Sequence, residues 1–173
     1  MPTVYQGESN GAGLYVGIVV SRWNSVITDR LLQGALETLA KQSVPDENID
    51  VVWVPGSWEL PIAAKKLAHS GRYQALIALG ALIRGDTPHF EYIASQASAG
   101  LSQVSLESGV PIAFGLLTTN DLEQALDRVG GKSGHKGAEA ASAAVEMANV
   151  LRCLEPLLPR QDGARSAHRV STP

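Results

Sequence analysis

The residues best suited to chemistry lie where apolar runs stop. The stretch ALGALIRGDTPHFEY, residues 78–92, is apolar as far as Ile83. It then delivers Arg84, Gly85, Asp86, Thr87, Pro88 and His89 in succession. Thr87 suits a helix N-cap, and Pro88 suits the first helical position because its missing N–H would be unpaired there. The amides of Gly85, Asp86 and Thr87 would then face outward at the positive end of the helix dipole, a ready anion site. A capped glycine turn needs no ligand to explain it, and a first-turn histidine is often merely solvated. Yet such a turn does not require His89, whose ring can reach the same place and exchange a proton near neutrality.

Three further clusters follow apolar runs: Ser21-Arg22-Trp23-Asn24, VPGSWELP at residues 54–61, and TTND at residues 118–121. Trp23 offers a flat face on which a planar ring can stack, although large aromatics more often fill cores. Ser57 and Glu59 flank Trp58 and could hold hydroxyl groups; a serine cap and a surface glutamate are the plainer reading. The loop RVGGKSGHKG, residues 128–137, gathers Arg128, Lys132, His135 and Lys136 around four glycines. No G-x-G-x-x-G pattern follows the first apolar run and no Walker loop occurs, so nucleotide binding of those kinds has no support. No carboxylate cluster or histidine pair has metal-ligand spacing, and neither metal nor cofactor is expected.

Positioning such residues takes an ordinary globular frame. The 173 residues fit one domain, 45% hydrophobic and 18% charged. A net charge of -3 without blocks of like charge argues against nucleic acid or an anionic membrane as partner. Cys153 is the only cysteine, which excludes an intrachain disulfide. No apolar run spans a membrane, and MPTVYQGESNGAG lacks a signal pattern, so the cytoplasm is expected. Four nearly continuous apolar runs at residues 14–20, 49–54, 75–83 and 110–118 predict strands covered on both faces. Helical stripes separate them: residues 31–41, with Leu31, Leu32, Ala35, Leu36 and Leu39 on one face, then 62–69 and 88–107. Asn120 and Glu123 have capping-box-like spacing before a short helix through Arg128, and an alanine-rich helix covers 138–154. This alternation predicts an α/β fold, a three-layer sandwich whose four-stranded parallel sheet carries helices on both faces. Residues 1–13 form an N-terminal arm, 14–155 the domain, and 156–173 an aperiodic tail expected to be mobile. In an open parallel sheet ligands bind outside the carboxyl ends of the strands, and all four polar clusters fall there.

Taken together, "RWN", "VPGSWELP", "GALIRGDTPHFEY", "GVPIAFGLLTTNDLEQALDR" and "HKGAEAASAAVEMA" stand in order and at family spacing. The chain closely resembles the lumazine synthase family of riboflavin biosynthesis over residues 14–155. The resemblance implies a flavodoxin-like sheet. It also implies condensation of 5-amino-6-(D-ribitylamino)uracil with 3,4-dihydroxy-2-butanone 4-phosphate to give 6,7-dimethyl-8-ribityllumazine, phosphate and water. In that case Trp23 stacks on the pyrimidine, and Ser57 and Glu59 hold the ribityl chain with backbone help from Asn24 and Trp58. Ala81, Leu82 and Ile83 line the ring's edge. The amides of Gly85, Asp86 and Thr87, with Arg128, bind phosphate, and His89 moves protons. Phe114, Arg128 and Lys136 are expected from a neighbouring subunit. Position 23 is usually phenylalanine in this family, so its tryptophan puts product release, rather than stacking, in question.

The family forms rings of five subunits, and some members assemble twelve rings into a hollow shell. The short loop at residues 130–135 resembles the shell-forming version, so a 60-subunit homo-oligomer is favoured over a free pentamer. Riboflavin synthase is a partner that the resemblance allows. Two other readings compete: a flavin-binding flavodoxin-like module, and a shell protein whose catalytic site is idle. The first has no need of His89 together with Arg128 and Lys136; the second does not explain why Glu59, His89, Arg128 and Lys136 are all intact.

Overall fold

The computed structural model describes residues 1–158. Four strands, β1 (Val16–Ser21), β2 (Ile49–Val54), β3 (Ala75–Ile83) and β4 (Ile112–Thr119), form one parallel sheet in the order β2-β1-β3-β4. Between them run α1 (Ser25–Lys41), α2 (Leu60–Ala68) and α3 (His89–Ser108), and a short α4 (Leu122–Leu126) follows β4. A hairpin of β5 (Val129–Gly131) and β6 (Gly134–His135) then leads into α5 (Lys136–Leu154). The fold is a three-layer, flavodoxin-like α/β sandwich. Central β1 is buried along its whole length, as a continuous apolar run between two helical layers must be, whereas outer β2 leaves Val51 and Trp53 exposed.

Two cores flank the sheet. On one face Ile18, Val20, Ile77 and Leu79 meet Leu31, Ala35 and Leu39 of α1 and Ala141, Ala144 and Val145 of α5. On the other, Val19, Leu76 and Ala78 meet Leu60 and Ala64 of α2 and Ala97, Leu101 and Val104 of α3. Each large side chain buried in this way contributes about 1.5–3 kcal/mol relative to exposure. The alanines of α5 let it lie close to α1: at Gly137 an added Cβ would stand 2.1 Å from the backbone oxygen of Leu31.

Local differences from the expected elements have identifiable causes. α1 starts at Ser25, six residues before the apolar stripe suggested, because Asn24 turns the chain with φ 63° and accepts the first helical bonds from Ile27 and Thr28. Pro88, not Thr87, is the N-cap of α3: its carbonyl accepts the N–H of Tyr92, and the helix proper begins at His89. Asp121, not Asn120, caps α4, its carboxylate accepting the N–H of Gln124 at 2.8 Å. Residues 7–11 lie against the body of the fold, with Asn149 Nδ2 donating to the carbonyls of Glu8 and Asn10 and Gly11 N–H donating to Gln42 O. In the tail segment, Glu155–Leu157 form a single 3-10 turn, and residues 159–173 lie outside the described residues. Among the described residues no helix is long and apolar enough to cross a membrane.

Candidate active site

The chain leaves β1 toward β2 on one side and returns to β3 on the other, so the crevice at the carboxyl ends of β1 and β3 lies where the strand order reverses. A cleft of about 720 Å³ opens there. The β1–α1 turn enters it from one wall. The ladder with β2 continues past the strand through Arg22 N–H to Val54 O (2.8 Å) and Trp23 N–H to Pro55 O (3.1 Å). Asn24 Nδ2 donates to Ala81 O at 2.7 Å, tying the same turn to β3. Held by its backbone, Trp23 keeps its side chain 74% exposed. Such an indole face is available for a ring to stack upon.

The β2–α2 turn forms the second wall. Gly56 N–H donates to Glu59 Oε2 at 2.9 Å while Glu59 N–H donates to Gly56 O at 3.3 Å, so a single tight turn presents Ser57, Trp58 and Glu59 together. Ser57 is buried, Glu59 half-buried and Trp58 exposed, which gives the cleft a hydroxyl at its base and a carboxylate on its side. Ala81, Leu82 and Ile83 make the floor, and His89 with Tyr92 and Ile93 closes the far side from the first turns of α3. The cleft therefore gathers Trp23, Asn24, Ser57, Trp58, Glu59, Ala81, Leu82, Ile83 and His89, all nine marked by the sequence. Sequence reasoning missed Pro55, Gly56, Tyr92 and Ile93. Helical spacing held the signal for two of them, since positions three and four beyond His89 share its face.

Phe114, Arg128 and Lys136 line a different cleft of about 520 Å³, between β4 and the start of α5. There Lys136 Nζ pairs with Glu139 Oε2 at 2.7 Å, and Arg128 Nη1 donates to Gln124 O at 2.8 Å. Lys136 N–H also donates to Arg128 O at 2.8 Å, so the β5–β6 hairpin fixes the two cations relative to each other. Thr118 and Glu139 were not anticipated on this wall. Gly85, Asp86 and Thr87 are exposed on the turn before α3 and form part of neither cleft. Within one chain they do not share a cleft with Arg128.

The turn that carries them is bounded by Arg84. Its N–H donates to Thr119 O at 2.9 Å, its Nε to Asn120 Oδ1 at 3.1 Å and its Nη1 to Glu91. The hydrogen bond from Arg84 holds the Glu91 carboxyl below its ordinary pKa. The guanidinium also lies 4.6 Å from the centre of the Phe90 ring.

The chain is similar to known proteins. The family model described as 6,7-dimethyl-8-ribityllumazine synthase matches residues 13–152. Two Clostridium kluyveri proteins, one of strain DSM 555 and one of strain NBRC 12016, carry that same name. Each is 52% identical to this chain over 152 residues, covering 88% of this chain and 99% of its own length.

Proposed function

The chain belongs to the 6,7-dimethyl-8-ribityllumazine synthase family, and from that membership we propose how its two clefts divide the work of the reaction. The enzyme is a transferase of riboflavin biosynthesis. It condenses 5-amino-6-(D-ribitylamino)uracil with 3,4-dihydroxy-2-butanone 4-phosphate, giving 6,7-dimethyl-8-ribityllumazine, phosphate and water.

In this reading the larger cleft takes the pyrimidine. Trp23 stacks on the ring, Ala81, Leu82 and Ile83 line its edge, and Ser57 and Glu59 hold the ribityl hydroxyls beside the backbone of Asn24 and Trp58. Phosphate is held by the amides of Gly85, Asp86 and Thr87 from one subunit and by Arg128 from its neighbour, with Phe114 and Lys136 completing the wall. His89 relays protons while the amine forms an imine with the ketone and phosphate departs. These steps need positioned proton transfers and a bound leaving group, which the side chains themselves can supply. The observation that carries the reading is that Trp23, Ser57, Glu59 and His89 share one cleft while Arg128 and Lys136 share the other.

A site of this kind is complete only between subunits. We accordingly assign a closed ring of five chains, and favour the shell of twelve rings because only Lys132 and Ser133 separate β5 from β6. Residues 14–155 are the catalytic domain and 1–13 an arm; the cytoplasm is the proposed compartment. Co-expression of His89→Ala and Arg128→Ala chains tests the division. Random mixing in a closed ring leaves about a quarter of the sites with both groups intact, so activity returns toward that fraction. Failure of co-assembled chains to exceed the sum of the two separate variants overturns the shared site.

A further inference from the structure

Arg84 joins three segments that meet at the phosphate turn. Its backbone N–H extends the β3–β4 ladder by bonding Thr119 O, so the turn leaves the sheet under control. Its guanidinium then spends Nε on Asn120 Oδ1, beyond β4, and Nη1 on Glu91, in the first turn of α3. Gly85, Asp86 and Thr87 lie between these anchors, and at Gly85 an added Cβ would meet nothing within 4 Å. Packing therefore does not fix this turn at that position; the Arg84 bracket spans it. The bracket also reaches Arg128 of the same chain, which in the proposed ring serves the adjacent site. Asn120 N–H donates to Gln124 Oε1 at 2.9 Å, and Gln124 O accepts from Arg128 Nη1 at 2.8 Å.

We propose that Arg84 is a positioning residue for phosphate recognition, bracing the Gly85–Thr87 turn through Glu91 and Asn120 rather than touching the anion. The inference rests on the reading above that this turn and Arg128 bind the phosphate of the butanone substrate. Two features favour a brace over a direct ligand. Glu91 already offsets the Arg84 charge, and a planar fork reaching a carboxylate and an amide oxygen at once depends on geometry that an ammonium lacks.

Steady-state kinetics on the assembled enzyme distinguish the possibilities, with inorganic phosphate as a competing probe. Arg84→Ala should raise both the KM for the butanone phosphate and the inhibition constant of phosphate by about tenfold, the equivalent of one or two charge-assisted hydrogen bonds lost at a half-exposed site. The KM for the pyrimidine should stay within about twofold, since its cleft walls are held by other bonds. Arg84→Lys should not restore phosphate binding, and Asn120→Ala should reproduce much of the loss while leaving Arg84 in place. Rescue by lysine would overturn the proposal in favour of direct charge. Equal weakening of both substrates, or none, would overturn it as well. Arg128→Ala is the control for the underlying reading. If it weakens phosphate while Arg84→Ala and Asn120→Ala do not, only the inference about Arg84 fails. If it leaves phosphate untouched, the assignment of the site fails.

Discussion

Gly80→Ala probes how tightly the sheet fixes the base of the larger cleft. Gly80 lies in β3 opposite Leu116, one residue before Ala81, whose carbonyl holds Asn24. A Cβ there would stand 2.8 Å from Leu116 Cδ1, 2.9 Å from Ser57 Oγ and 3.1 Å from Ser21 Oγ. Carbon atoms pack comfortably at roughly 3.5–4.0 Å, so the contact with Leu116 is short by about 0.7 Å. Neither serine has open space behind it, Ser21 being 0% and Ser57 4% exposed. Overpacking of this size costs about 1–3 kcal/mol, and the lower chain entropy of alanine in the unfolded state offsets about 0.4–1 kcal/mol of that. A net loss of about 1–2 kcal/mol is expected, read as a fall in the denaturant midpoint at unchanged slope. The displaced Ser57 hydroxyl should raise the KM for the ribityl pyrimidine more than that for the butanone phosphate. A folded Gly80→Ala enzyme with parental stability and parental pyrimidine KM would refute the claim that this gap sets the hydroxyl's place.

His89→Ala should lower turnover by roughly ten- to a thousandfold with the fold intact, since positioned proton transfer is worth about 10²–10⁴ and these substrates also react unaided. Parental turnover in the folded variant removes His89 from the mechanism. Riboflavin or the lumazine product should quench tryptophan emission on binding, and Trp23→Ala should bind riboflavin more weakly by about 0.5–1.5 kcal/mol; undiminished affinity in that variant excludes stacking. Light scattering should return the mass of a 60-chain shell. A mass near five chains refutes the shell but not the ring, and a mass near one chain undoes the shared site.

How much of this was legible in the sequence depends on the distance over which each feature is decided. Residues 75–83 read as a strand and form one, because an unbroken apolar run bounded by polar residues has a single economical home between two helical layers. Of the nine marked residues in the larger cleft, Trp23, Ser57, Glu59 and His89 were legible from polar or aromatic residues in the segments after strand ends, while Asn24, Trp58, Ala81, Leu82 and Ile83 came only from the family resemblance. Caps were less so. Thr87 and Asn120 have good capping chemistry, yet Pro88 and Asp121 occupy those positions, and the Asn120 side chain turns to Arg84 instead. The first turn of α1 was legible as well, since buried Ile27 stands four residues before Leu31 on the same face, although exposed Val26 beside it blurs the period. The Arg84–Asn120 contact joins residues 36 positions apart, and no local pattern encodes it.

The chain's own topology explains why the cations stand apart from the aromatic cleft. Trp23, Ser57 and His89 follow β1, β2 and β3, which are neighbours in the sheet, so their turns converge on one crevice. Arg128 and Lys136 follow β4, the edge strand at the far end from β2, and the hairpin carries them toward α5 on the opposite face from α2 and α3. Kept on the second cleft, Lys136 is balanced by Glu139 and Arg128 is steadied by Gln124. In the proposed ring, subunit packing sets the second cleft of one chain against the first cleft of its neighbour, so the cations meet the proton-transferring side chain only across the interface where the substrates bind.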